Sequence, residues 1–356
     1  MIQKIQEIFG FSASDIKLAA SKGQLLSLEL EFSSRCNLRC VYCYNGSNLY
    51  RNDELELEEM FDVISQAKAL GARKIIYVGA GEPLLDIKLR SVIGYVNKLG
   101  LKHILFTNGT LIDSEIARFF YKHHVTIVVK YASRDDQVSD FLCGVPGASQ
   151  STQRGLNFLL KAGYPNASHH LGIEAIICNQ NIGELPSLWQ WARKSNIVPY
   201  FEYITYQGDA TKHMDLYPTK DKIRDLFYNL AKIDEDEFDL HWVPRPPIAG
   251  FSCQRHLYSA LVNSQGFVQP CVGIDIKVEN IRNKKLSSIL SESKVLKELR
   301  NIKSTIKGPC SHCSDLDKCY GCRGAAYNAL GDYLASDPMC WRIKNEAPTS
   351  FASSKK

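Results

Sequence analysis

Between Leu25 and Ala231 the chain repeats one pattern six times: a short strand-like run, then a longer amphipathic one. Leu26, Leu28, Leu30 and Phe32 alternate with Ser27, Glu29, Glu31 and Ser33, which is the period of a strand. Further strands are predicted at Lys74 to Val78, His103 to Thr107, Val125 to Lys130, Leu171 to Cys178 and Val198 to Ile204. Helical spacing fills the intervals: Leu55 to Leu70, Ile87 to Leu99, Asp113 to Lys122, Thr152 to Ala162, Leu185 to Ser195 and Lys220 to Ala231. Such alternation forces a parallel sheet with right-handed crossovers, because each strand can rejoin the sheet only over a helix. Periodicity alone leaves two α/β architectures open, a curved barrel and an open doubly wound sheet.

The first strand runs into Cys36-Asn37-Leu38-Arg39-Cys40-Val41-Tyr42-Cys43, a C-x3-C-x2-C cluster. Three thiolates on one loop can converge on one inorganic core, and a 4Fe–4S cube takes four ligands. A zinc knuckle would want a fourth Cys or His nearby, and none lies within a dozen residues. Gly79-Ala80-Gly81-Glu82-Pro83 follows the second strand, and Thr107-Asn108-Gly109-Thr110 ends the third. Small residues let backbone approach a ligand closely. A carboxylate at the C-terminal end of a barrel strand stands where barrel enzymes keep their sites.

These motifs resemble those of the radical S-adenosylmethionine (SAM) superfamily. The resemblance implies a partial (β/α)6 TIM-like barrel. Cys36, Cys40 and Cys43 would hold a 4Fe–4S cluster whose open iron binds SAM, with Tyr42 as the aromatic before the third cysteine. Gly79, Ala80, Gly81 and Glu82 would match the family's Gly-Gly-Glu-Pro motif, which binds the methionine amino group. Ala80 departs from that pattern by one methyl. Asn108 would line the SAM cavity. Ser133 follows the fourth strand, where the family more often shows a Ser-Leu-Asp sequence, and this departure blurs the SAM-ribose contact; Asn179 and Asn181 after the fifth strand would reach the nucleoside, and Gly208-Asp209-Ala210 would pass near the adenine. Lys130, ending the fourth strand, is either a surface lysine or a group in the barrel mouth that pairs with a carboxylate or phosphate.

Seven more cysteines follow: Cys253, Cys271, Cys310, Cys313, Cys319, Cys322 and Cys340. A hairpin is expected around Asn263-Ser264-Gln265-Gly266. The array resembles the SPASM domain, a small cysteine-rich extension with auxiliary 4Fe–4S clusters. By that resemblance Cys310, Cys313, Cys319 and Cys340 would hold the distal cluster, and Cys253, Cys271 and Cys322 the one nearer the barrel. The usual fourth cysteine of the nearer set is missing. Either one iron is open or a group such as His256 fills in. The gap before Cys322 is two residues where the family commonly has three. The remaining cysteines, Cys143 and Cys178, are buried small hydrophobes or, in the sharper reading, hydrogen-atom donors to a substrate radical.

The expected organisation is N-terminal helices over 1–23 on the edge of the core, a barrel over 24–231, a linker over 232–250, a SPASM domain over 251–342 and a disordered tail over 343–356. Lys277 to Lys307 is expected to form an amphipathic surface helix with a solvated basic face. A net charge of +5 on 356 residues is too mild for a nucleic-acid footprint. No apolar run or signal sequence points to a membrane or to secretion, and ten of twelve cysteines in such spacings favour clusters over disulfides in a cytoplasmic protein. The expected activity is SAM cleavage to a 5′-deoxyadenosyl radical, hydrogen abstraction from substrate, and an electron leaving through the auxiliary clusters. A flavodoxin- or ferredoxin-type protein would supply the reducing electron. The substrate is a small biosynthetic intermediate (a sugar, aminocyclitol or tetrapyrrole) or, alternatively, a ribosomal peptide. The absence of an N-terminal peptide-recognition module tilts toward the small molecule. A non-enzymatic electron-transfer protein is the remaining alternative.

Overall fold

A computed structural model describes residues 8–46 and 51–343. Nine strands form one sheet among them: β1 (Ser27–Glu31), β2 (Lys74–Val78), β3 (Lys102–Thr107), β4 (Thr126–Lys130), β5 (Leu171–Ile177), β6 (Val198–Tyr203), β7 (Ser259–Val262), β8 (Phe267–Gln269) and β9 (Glu279–Asn280). Their order is β6-β5-β4-β3-β2-β1-β7-β8-β9, with β1 to β6 parallel throughout. A doubly wound sheet reverses its strand order at a switch point. This one runs monotonically from β1 to β6, so the two architectures separate in favour of the partial barrel. The outer edge of β1 is taken by β7, also parallel, in register Ser27↔Ser259 to Leu30↔Val262. The cysteine-rich segment therefore extends the barrel sheet.

The two faces of each strand explain the curvature. Leu28 and Leu30 of β1, Ile75 and Tyr77 of β2, Ile127 and Val129 of β4, and Ile173 and Ala175 of β5 face outward into one continuous core with the helices. The opposite parity (Glu29, Ile76, Val78, Phe106, Lys130, Glu174, Ile176, Tyr200 and Glu202) lines the concave side. The polar half of the β1 alternation thus faces a cavity rather than bulk solvent.

Several elements differ from the sequence expectations. The expected helix from Ile2 to Gly10 falls outside the described residues over 2–7. Its end, however, does not lie on the edge of the core. Phe9 enters the concave face, with ring centroids 4.9 Å from Tyr200 and 5.8 Å from Phe106. An unread helix, Asp136–Cys143, sits between β4 and the helix Ala148–Ala162, closed by Gly144 at φ +66°. The last barrel helix does not stop at Ala231. It runs Lys220–Phe238, so the acidic stretch assigned to the linker is helical, and Asp234 within it is buried. The remaining linker residues are tied down as well, with Ile248 bridged to Glu202 and Phe251. The expected surface helix is three short ones, Leu286–Glu292, Lys294–Arg300 and Ile302–Thr305, the second capped by Ser293 Oγ. Their leucines and isoleucines are buried. The expected hairpin is present as β7 and β8. Residues 344–356 of the expected tail lie outside the described residues. No described helix is long and apolar enough to cross a membrane.

Candidate functional site: a three-cysteine loop facing a cysteine-rich wall

The loop carrying Cys36, Cys40 and Cys43 leaves the C-terminal end of β1 and is gripped by backbone from three other elements. Arg39 N and Val41 N donate to the carbonyls of Cys143 and Leu142 at the end of the helix Asp136–Cys143 (3.0 and 3.1 Å), and Asp209 N donates to the Cys43 carbonyl (2.9 Å). Glycines make these approaches possible. A Cβ on Gly144 would stand 2.1 Å from the Arg39 carbonyl oxygen, on Gly208 2.2 Å from that of Cys43, and on Gly81 2.0 Å from that of Arg35. Gly144→Ala or Gly208→Ala is therefore expected to displace the loop and cost a whole cluster, about four irons per chain after anaerobic reconstitution. Gly147→Ala is the control. Its φ is +78° but nothing lies within 4 Å of the added carbon, so it should cost about 1–2 kcal/mol of backbone strain and no iron.

The Gly-Ala-Gly-Glu-Pro turn packs directly on this loop. Tyr44 Oη donates to the Gly79 carbonyl (2.6 Å), Asn45 Nδ2 to the Ala80 carbonyl (2.7 Å), and Glu82 N to the Arg35 carbonyl (2.8 Å). Glu82 is buried. Its Oε1 accepts from Thr107 Oγ1 (2.6 Å) and Leu84 N (3.1 Å), and its Oε2 from Asn108 N (2.7 Å). Burial pushes the carboxyl up, and these three donors oppose that. A carboxylate offers about four lone-pair sites, so one direction on Oε2 remains for a ligand's N–H. Asn108 turns its Oδ1 to Thr110 N (2.9 Å) and its Nδ2 to Asn37 in the cysteine loop (2.9 Å).

One cavity joins this loop to the C-terminal region. Its wall includes Cys36, Cys40, Tyr42, Cys43, Gly79, Ala80, Gly81, Glu82 and Asn108 at one end. At the other stand Cys253, Cys271 and Cys322 with Arg255, His256, Tyr320 and Arg323. Cys253 precedes β7, Cys271 follows β8, and Cys322 caps the helix Arg323–Leu330. The last two are drawn together because Gly273 and Gly324 meet backbone to backbone: a Cβ on Gly324 would lie 2.8 Å from Gly273 Cα. Asp337 ties this face to the barrel, accepting from Tyr203 Oη (2.5 Å) and Cys322 N (2.7 Å). A second, smaller cavity is walled by Cys310, Cys313, Cys319 and Cys340 with Arg245, Asp315 and Arg342. The seven cysteines thus fall into two groups of three and four.

Between the cysteine ends lies a charged floor. Lys130 Nζ is 3.4 Å from Glu174 Oε2, and Arg255 Nη1 is 3.2 Å from Glu29 Oε1. Lys130 is the cavity group, not the surface one. Burial, and then the neighbouring Glu174, push Glu202 up. Sequence reading missed Glu174, Glu202, Tyr200, Arg255 and Arg323. For the two glutamates a signal existed, since an acidic residue within an apolar parallel strand has to face something other than the helix layer.

Other expected site residues are not brought to the cavity. Ser133 donates to Glu184 Oε2 and accepts from Asp135 N (2.9 Å). Asn179 Nδ2 ties to the carbonyls of Asp215 and Tyr217 (2.9 Å each), and Asn181 Nδ2 to that of Ala132 (2.9 Å). All three close turns. Gly208 and Asp209 serve the Cys43 backbone. Cys178 is buried in an apolar cluster with Ala132, Leu142 and Ile204. Cys143 packs behind the loop against Leu38 and Ala148, beside Cys36 and Cys40. Neither free cysteine lines the cavity.

The sequence profile of the Radical SAM superfamily matches residues 30–188, and that of the SPASM iron–sulfur cluster-binding domain matches residues 253–314. The chain carries a radical SAM domain followed by a SPASM domain. It is an enzyme of that superfamily with a C-terminal SPASM domain, using 4Fe–4S clusters and SAM. An AdoMet-dependent heme synthase of Methanosarcina barkeri is 27% identical, over 87% of this chain and 94% of the relative. An Fe-coproporphyrin III synthase of the same organism is 25% identical, over 88% and 86%. The fold is that of Streptococcus suis SuiB bound to S-adenosylmethionine (TM-score 0.70, 19% identity, 90% of this chain and 78% of that one). It is equally that of anSMEcpe with AdoMet and a peptide (TM-score 0.69, 15% identity, 87% and 93%).

The residues of this radical SAM enzyme fit the groups the family implies. Burial pushes the Cys36 thiol up to about 11 and the Cys43 thiol upward too. Burial likewise pushes Cys271 up to about 12. Buried sulfurs of this kind become thiolates when a metal centre supplies the positive charge. The glycine cradle leaves no room for side chains against the loop backbone, and the free direction on Glu82 suits an ammonium.

Proposed function

We propose that the chain is a three-cluster radical SAM enzyme that oxidises a carboxylate-bearing tetrapyrrole. The observation that carries the reading is the single cavity running from Cys36, Cys40 and Cys43 to Cys253, Cys271 and Cys322. In this assignment the first three cysteines hold the SAM-binding cluster, which with SAM supplies the 5′-deoxyadenosyl radical. Glu82 holds the methionine ammonium. Tyr42, Gly79, Ala80, Gly81 and Asn108 shape its seat. Substrate lies across the concave floor, where Phe9, Phe106, Tyr200, Phe251 and Tyr258 offer flat apolar contact to a rigid ring. Lys130 and Arg255, although paired with glutamates, give that floor a positive component toward side-chain carboxylates.

The net reaction is a two-electron oxidation. A propionate side chain would lose one hydrogen atom, one electron and carbon dioxide to become a vinyl group; bound SAM would supply the hydrogen acceptor, and a cluster held by Cys253, Cys271 and Cys322 would supply the electron acceptor. No separate base is needed. The names of two relatives matched over most of their length, a heme synthase and an Fe-coproporphyrin III synthase, support the substrate class. The position of Cys143 and Cys178 away from the cavity supports oxidation over a redox-neutral epimerisation, which would want a hydrogen donor at the substrate. Reduced, reconstituted enzyme with SAM is expected to form 5′-deoxyadenosine several-fold faster when iron coproporphyrin III is added, with mass loss from the porphyrin. Stimulation by peptides and not by porphyrins would overturn the substrate class in favour of peptide maturation.

A further inference from the structure

Within the reading just proposed, the cluster at Cys253, Cys271 and Cys322 has three thiolates and lacks a fourth. We infer that His256 supplies it, so that this cluster is held by three cysteines and one histidine. His256 sits on the short turn Arg255–Leu257, three residues after Cys253 and directly before the strand that joins β1. Its side chain lines the same end of the cavity as the three cysteines. It is 5% exposed, and its Nδ1 is buried with no hydrogen-bond partner. A buried ring nitrogen left without a partner costs on the order of 1–3 kcal/mol unless something else satisfies the ring. Tyr320, whose ring centroid is 6.0 Å away, leads directly into Gly321 and Cys322, so the imidazole stands beside the segment that carries the third cysteine.

The consequence is a bias in potential. An imidazole in place of a thiolate leaves a cluster one unit less negative, as histidine ligation does when it raises the potential of Rieske centres. Arg323 stands on the same wall and offsets the buried Asp337 carboxylate that accepts from Cys322 N. It is 1% exposed, follows Cys322 and has Nε and Nη2 buried without hydrogen-bond partners on that wall. A cluster so placed accepts an electron from a carbon radical at the cavity floor more readily than a four-cysteine cluster would.

The test uses full-length protein with Cys36, Cys40 and Cys43 replaced by alanine, so that only the auxiliary clusters contribute. Reduced samples made with natural-abundance and with 15N-histidine are compared by pulsed electron paramagnetic resonance. The expected result is a strong nitrogen coupling on one cluster that changes with the isotope and vanishes in His256→Ala. His256→Cys should restore iron content without the coupling and shift that cluster's midpoint potential to more negative values. Absence of an isotope-sensitive coupling in the parent protein would overturn the inference whether or not any His256 variant folds. If unmodified protein instead binds far fewer than about twelve irons per chain or fails to cleave SAM, the underlying reading falls and not only the histidine.

Discussion

Alanine at Cys36, Cys40 and Cys43 together is expected to abolish 5′-deoxyadenosine formation while leaving about eight of about twelve irons per chain. The independence follows from where the sulfurs stand. The three-cysteine loop hangs from β1 and is held by Arg35, the turn at Gly79 to Gly81 and the end of the helix Asp136–Cys143. The other seven sulfurs sit on segments from Cys253 to Cys340, three lining the same cavity from those segments and four walling a second cavity. Converse variants separate the roles. Cys310→Ala with Cys313→Ala should lose about four irons, still cleave SAM, and accumulate 5′-deoxyadenosine with little oxidised product. Iron loss in the triple variant well beyond one cluster would show that the loop organises the whole site. Undiminished SAM cleavage would remove the loop from the chemistry.

Asp234→Ala is expected to destabilise the protein by about 3–5 kcal/mol. Asp234 accepts from Trp189 Nε1 (2.7 Å), Trp242 Nε1 (2.9 Å), and Arg193 Nε and Nη2 (2.9 and 2.7 Å). Removing the carboxylate leaves a guanidinium that is 3% exposed without its counter-charge, and two indoles without their acceptor. Replacing Arg193 by leucine in the same chain should recover part of the loss, because a buried charge pair can often be exchanged for apolar packing at little cost. Denaturant unfolding followed by tryptophan fluorescence reads both variants. A loss below about 1 kcal/mol for Asp234→Ala would mean that water reaches Arg193 and that the helix end is not sealed.

Asp234 also shows where sequence reading stops. Asp234-Glu235-Asp236-Glu237 reads as solvated linker because three of its four carboxylates are on the surface or at its edge. That the fourth meets Arg193 and two tryptophans depends on how the helices Leu185–Lys194 and Lys220–Phe238 pack, which no local pattern encodes. The strands and most helices were legible because their outward parity is apolar from β1 to β6. The cysteine spacings were legible because ligands on one loop must be close in sequence. Pairing of β7 with β1 was not, since it joins segments more than two hundred residues apart. Ser133, Asn179 and Asn181 stand just past strand ends, where alternation no longer dictates direction, and each polar side chain found a backbone group nearer than the cavity. Phe9 has no periodic neighbours, and only the packed barrel provides its apolar site between Phe106 and Tyr200.

The most direct test of the central claim follows one hydrogen atom. Iron coproporphyrin III deuterated on the carbons of its propionate side chains is mixed with SAM and reduced, fully reconstituted enzyme. Deuterium is expected in 5′-deoxyadenosine, with a porphyrin lighter by carbon dioxide and two hydrogens (the abstracted deuterium and the acid proton) for each vinyl group formed. Unlabelled 5′-deoxyadenosine beside unchanged porphyrin would contradict it.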